Sequence, residues 1–184
     1  MNTLTKGANA VLGPQELNGV VIGVRWHSDS VECDLVALVC GENRKVLGDD
    51  HMVFFNNLIS PDRTVFLRQT PMNARVSGDR GQVQVHLAAL PAEAHRVVIA
   101  LAALEPGVSL TSVSGIEVEA FDPVGGRTLA RYEVGPEKTG TVCLILAEVY
   151  RRREQWRIRA VGQGYASGLT GLVRDHGVTV DDGG

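Results

Sequence analysis

Apolar positions along this chain fall into short runs of two kinds. Some alternate with polar residues: Val83, Val85 and Leu87 with Gln82, Gln84 and His86, and again from Ile116 to Phe121. Period-two alternation sends successive side chains to opposite faces, so these segments predict half-buried strands. Val20, Ile22 and Val24 line one face of a further strand, with Val21, Gly23 and Arg25 on the other. Other runs are nearly continuous, as in Leu35 to Leu38, Arg96 to Leu104 and Cys143 to Tyr150. Turn signals separate them, among them Gly13-Pro14, Gly41-Glu42-Asn43, Pro61-Asp62 and Asp122-Pro123-Val124-Gly125-Gly126. Cys143 to Tyr150 and Trp156 to Val161 predict an antiparallel pair joined through Arg151-Arg152-Arg153-Glu154-Gln155. Tyr165, Leu169, Leu172 and Val173 then recur at helical spacing, and Gly177 suits the left-handed position that ends a helix. The pattern predicts an all-β protein: a two-sheet antiparallel β-sandwich with a few short helices, one of them at the C-terminus. No repeat or linker divides residues 1–180, and Asp181 to Gly184 is expected to form a disordered tail.

Gly162, Gly164 and Gly168 follow a strand and precede a helix, which imitates a dinucleotide-binding fingerprint. That motif needs a further parallel strand and an acidic residue roughly 20 positions on. The chain reaches only Gly184, so the glycines are expected to serve tight turning and close helix packing instead.

Composition narrows the function classes. A length of 184 residues can bury on the order of 70% of the unfolded surface without help from metals or disulfides. The 21 glycines exceed the usual ~7% and fit a turn-rich β fold. A formal net charge of −3 argues against non-specific nucleic-acid binding. The longest apolar run, Val97 to Leu104, is too short to span a membrane, and the first residues contain no apolar signal segment, so a cytoplasmic location is expected. Cys33, Cys40 and Cys143 cannot all pair and lie in apolar runs, where a thiol is ordinarily inert packing. If Cys33 and Cys40 share a strand, their odd separation puts them on opposite faces.

The residues near the end carry a resemblance. Glu148, Tyr150-Arg151, then Trp156 through Leu169 and the closing Gly177-Val178 are similar to the C-terminal signature of the TerD family of tellurium-resistance and stress-response proteins. Leu4 to Gly7, Phe54 to Asn57 and Leu58 to Asp62 resemble the same family. The resemblance implies a β-sandwich without established catalysis, whose relatives bind calcium. Where the family has three alternating carboxylates, this chain has Glu32, Asp34 and then Val36. Alternation would bring such carboxylates to one side of a strand, where a hard cation collects oxygens. Asn56 and Asn57 could add neutral oxygens. Where the family has further acidic ligands, this chain has Leu67-Arg68-Gln69-Thr70-Pro71 and Gly78-Asp79-Arg80-Gly81, so Asp79 alone survives and Arg68, Arg75 and Arg80 bring positive charge. The candidate metal ligands are thus Glu32, Asp34, Asn56, Asn57 and Asp79, with calcium binding expected to be weak or lost and no organic cofactor.

Two readings stay open. One is a stress-response protein holding a residual calcium ion on those five residues. The other is a metal-independent protein-interaction module, in which an arginine pairs with Glu32, Asp34 or Asp79 in place of the ion. The expected partners are other proteins of a stress-response system, rather than nucleic acid or membrane. Catalysis is not expected, since no nucleophile, base and orienting group occur together and no histidines show transition-metal spacing. His27 and His86 read as solvated. Arg151-Arg152-Arg153 with Arg157 and Arg159 reads either as an anion-binding patch or as a solvated hairpin tip.

Overall fold

Twelve strands and one α-helix build three layers in the computed structural model, which describes residues 1–14, 17–70, 78–135 and 140–181. The first sheet contains β1 (Asn2–Leu4), β3 (Val20–His27), β6 (Val65–Gln69), β7 (Gly81–Val85), β9 (Ser114–Phe121) and β10 (Thr128–Glu133), in the order β1-β10-β9-β3-β7-β6. The second contains β2 (Asn9–Val11), β4 (Cys33–Cys40), β5 (Met52–Val53), β8 (Arg96–Ala103), β11 (Cys143–Arg152) and β12 (Gln155–Tyr165), in the order β2-β12-β11-β8-β4-β5. Helix α1 (Gly168–Asp175) lies on the outside of the second sheet.

The two kinds of apolar run correspond to the two sheets. Strands β3, β7 and β9 send Val20, Ile22, Val24, Val83, Val85, Ile116 and Val118 into the space between the sheets and their alternate residues outward. The central strands of the second sheet are covered twice. Leu35, Ala37 and Val39 of β4 enter the inter-sheet core, while Val36, Leu38 and Cys40 pack with Leu172 and Val173 of α1. A strand buried on both faces has no polar face to display, which is why β4, β8 and β11 are apolar at consecutive positions. Cys33 and Cys40 therefore enter different cores, one on each face of β4.

Three local expectations change. All pairs are antiparallel except β1 with β10, where Asn2 to Leu4 run parallel to Ala130 to Tyr132. The chain then turns through Gly7, at φ +85°, crosses to the other sheet and becomes β2, so one short segment closes an edge of both sheets. The alternation expected to run on to Leu87 stops at Val85, because Leu87–Ala89 forms a 3-10 turn, and β5 is only Met52–Val53, since Asp49–His51 forms another 3-10 turn and Phe54 and Asn57 close a tight loop by two mutual backbone bonds. Strand β12 continues past Val161 to Tyr165, so Gly162 and Gly164 lie within a strand. Val161 and Gly162 together face Leu146 in a bulge, with Gly162 at φ +67°. A Cβ on Gly162 would meet the Tyr132 hydroxyl at 2.5 Å, so close approach is part of its role. The helix ends as the pattern predicts, at Gly177 with φ +78°. Of the expected C-terminal tail only Asp181 lies within the described residues.

Candidate functional site

The second sheet has an incomplete edge at the start of β4. Strand β5 pairs with β4 only at Ala37 and Leu38, which leaves the backbone of Cys33 to Leu35, paired with β8 on one side, without a neighbouring strand on the other. Gln69, the last residue of β6, reaches across from the first sheet and fills that place. Its Oε1 accepts from the Leu35 N–H at 2.9 Å, and its Nε2 donates to the Cys33 carbonyl at 3.1 Å. The same Nε2 donates to the Asp34 carboxylate. One carboxamide thus imitates a residue of the missing strand and also neutralises part of the demand of a buried acid.

Asp34 shares the outer face of β4 with Val36 and is only 8% exposed. Burial pushes its carboxyl above the ordinary range, the Gln69 bond lowers it in part, and the charge of Glu32 raises it further. Glu32 is exposed and precedes the strand, and its carbonyl accepts from the Leu104 N–H at 2.9 Å. Glu32 is thus two residues from Asp34, and its charge acts on that carboxyl. Asn57 is spent on its own loop, donating through Nδ2 to the carbonyls of Asp50 at 2.9 Å and Met52 at 2.8 Å. Asn56 is exposed at the tip of the same loop.

Asp79 belongs to a different surface. Its carboxylate covers Gly23, where a Cβ would stand 2.1 Å from Oδ2. Ile22 and Val24 face the core, so Gly23 and Asp79 are on the outside of the first sheet. There Arg25 Nε bonds Asp79 Oδ1 at 3.3 Å and Gln82 Nε2 donates to Oδ2 at 3.0 Å. The Arg25 guanidinium also meets Glu117 at 3.4 Å and Glu119 at 3.2 Å, and Arg131 meets Glu119 at 3.1 Å. Burial raises the Glu119 carboxyl, but the Thr128 hydroxyl, Arg131 and Arg25 together hold it below the usual range.

The backbone of the first sheet therefore stands between Asp79 and Asp34. A calcium ion holds its oxygens at about 2.3–2.6 Å, so two ligands of one ion must approach within about 5 Å. Asp79 and Asn57 are engaged with other groups, and among the described residues no three His, Cys, Asp or Glu side chains are grouped to hold a metal ion. Among the described residues Arg25 of β3 pairs with Asp79. Arg75 lies outside the described residues, and the Arg80 Nε donates to the Trp26 carbonyl at 3.0 Å.

A second polar cluster sits on the outer face of the second sheet, where the sequence pattern shows only scattered charges. Glu148 of β11 is 5% exposed, and three arginines surround it: Arg96 at 3.2 Å, Arg159 at 3.6 Å and Arg44 at 3.8 Å. Arg159 also stacks over Tyr150, 5.6 Å from its ring centre, while Arg151 stacks over Trp156 at 4.8 Å. Glu148 belongs to the C-terminal signature, yet its partners lie 52 and 104 residues earlier and 11 later, too scattered for a spacing rule. The thiols of Cys33, Cys40 and Cys143 are buried, and burial pushes each up to about 12.

Residues 1–176 match the sequence model of the TerD domain. The chain belongs to the TerD family. It is 27% identical to the tellurium resistance protein TerD of Serratia marcescens over 186 aligned positions, which cover 96% of this chain and 97% of that protein. It is 24% identical to general stress protein 16U of Bacillus subtilis, covering 89% of this chain and 90% of the relative. A crystal structure of a TerD homologue from Streptomyces coelicolor shares the fold, with a TM-score of 0.67, 20% identity, and coverage of 85% of this chain and 95% of that one. Among the described residues no helix is long and apolar enough to cross a membrane.

Proposed function

We propose that this TerD-family chain is a non-catalytic binding protein of a stress response, and that it keeps its conformation without calcium. The observation that carries the reading is the Arg25 guanidinium, which engages Asp79, Glu117 and Glu119 on the outside of the first sheet. An internal cation takes the one acidic residue retained from the substituted loop, and the Gln69 carboxamide serves Asp34. The buried thiols, with ionisation pushed to about 12, do not supply thiolate at neutral pH for attack on an oxidant. Partner proteins are the ligands this reading expects, and Phe55, Leu58 and Ile59 offer exposed apolar surface beside β5.

Thermal unfolding of chelator-treated protein with calcium titrated in tests the proposal, because a ligand of the folded state alone raises the midpoint. The expected result is a midpoint unmoved up to millimolar calcium. A rise at micromolar calcium that Asp34→Asn abolishes would overturn it in favour of a residual ion site.

A further inference from the structure

Beside Glu148 the outer face of the second sheet opens into a groove of about 370 Å³. Its floor is Val98, Ile145 and Val161, and one wall is the end of α1 at Asp175 and His176. The turn after β4, which carries Arg44 and Lys45, forms an adjoining wall. The walls are tied to one another. The Val46 N–H donates to the His176 carbonyl at 2.8 Å, Lys45 Nζ donates to the Asp175 carbonyl, and the Thr179 N–H donates to Asp49 Oδ1 at 2.9 Å. The Lys45 stem passes over Gly177, where a Cβ would stand 3.2 Å from it. A groove held this way exists before any ligand enters.

Its charge is unbalanced. Arg44, Lys45 and Arg159 line it and Arg96 meets Glu148 beneath, whereas the carboxylates at the groove are Glu148 and Asp175. Four cations against two carboxylates leave a formal surplus of two positive charges. The Arg44 and Arg159 side chains are 60% and 41% exposed, so they remain within reach of a ligand while they touch Glu148. A network serving stability alone would gain from neutrality, because like charges held together repel. Gln163 and Tyr165 add neutral polar groups along β12.

We propose that this groove binds a small phosphate monoester, with Arg44, Lys45 and Arg159 holding the phosphate and Gln163 and Tyr165 facing its organic part. The surplus of two charges matches a phosphate dianion, and guanidinium groups recognise its oxygens through paired N–H donors. The volume falls in the range of about 300–1,000 Å³ typical of small-molecule sites. Glu148 then acts as an internal competitor that keeps the arginines in place when the groove is empty.

Glycerol 3-phosphate is the probe, titrated by calorimetry and by thermal unfolding at low ionic strength. Binding is expected, with a midpoint raised by several degrees at saturation and an affinity that falls as salt is added. Arg44→Gln with Lys45→Gln, both on an exposed turn, should weaken binding about tenfold or more, and Arg157→Gln, whose side chain bonds Asn9 outside the groove, should leave it unchanged. Glu148→Gln should tighten binding; if that variant does not fold, the turn variant still decides. Succinate, whose two charges are spread over separate carboxylates, should bind at least about tenfold more weakly. No binding of glycerol 3-phosphate, binding indifferent to the turn variant, or equal binding of succinate would each overturn the proposal.

Discussion

Replacing Gln69 by leucine keeps side-chain bulk and removes a carboxamide that joins the two sheets at one edge. In the parent protein that group satisfies the Leu35 N–H and the Cys33 carbonyl and donates to Asp34. Leu35 is fully buried and Cys33 is 5% exposed, so water is poorly placed to take over these bonds. Each buried backbone group left without a partner costs about 1–3 kcal/mol, which puts the loss of the two in Gln69→Leu at roughly 2–6 kcal/mol in total. For a domain of this length, at about 2–4 °C per kcal/mol, that corresponds to a midpoint lower by about 4–24 °C. Urea unfolding gives the free energy directly, and hydrogen exchange at the Leu35 amide, expected to accelerate more than amides of β9, localises the loss. Gln69→Glu should be worse at neutral pH, since a second carboxylate would face Asp34 and the Cys33 carbonyl, and part of the loss should return on acidification. A Gln69→Leu protein within about 0.5 kcal/mol of the parent, with unchanged Leu35 exchange, would refute the role given to this side chain.

Other outcomes follow from the same geometry. Burial first, and Glu32 after it, raise the folded-state carboxyl of Asp34 above its unfolded value. Its stabilising contribution is therefore present at low pH and lost as pH rises through the folded value. Asp34→Asn, which keeps an acceptor for Gln69, should raise the unfolding midpoint at neutral pH, and the gain should vanish below the ordinary aspartate range; a pH series of melts that shows a lower midpoint at neutral pH would contradict this. Arg153 and Glu154 form the two-residue turn between β11 and β12 at φ +49° and +55°, a conformation that suits Asn-Gly. That double replacement should stabilise the fold by about 1 kcal/mol, read by urea unfolding, and a destabilised product would refute the assignment. The three thiols should react with a maleimide only as fast as the protein unfolds; rapid labelling of the native protein would show that they are accessible.

Much of the fold is legible along the chain because it depends on local periodicity. The alternation of Val83 and Val85 with Gln82 and Gln84 already marks a sheet with one solvated face, and the odd separation of Cys33 and Cys40 already places them on opposite faces. The helix after Tyr165 and its stop at Gly177 follow from spacing and from the backbone freedom of glycine. Glu32 and Asp34 stand two residues apart where β4 begins, so the influence of one charge on the other is legible in the chain itself.

Other features were decided only when distant strands met. Gln69 reads as an ordinary polar residue ending a strand, and its value comes from an edge of the other sheet where β5 stops short. Asp79 reads as the last acid of a depleted cation site, but just before β7 it lies over Gly23 on the outside of the first sheet, where it meets Arg25, 54 residues away in sequence. Glu148 and its arginines come from the turn after β4 and from β8, β11 and β12, and no run of sequence contains them together. Periodicity states which face of a strand a side chain takes; which charges then meet depends on strand order and register, and these are set by the packing of the whole sandwich.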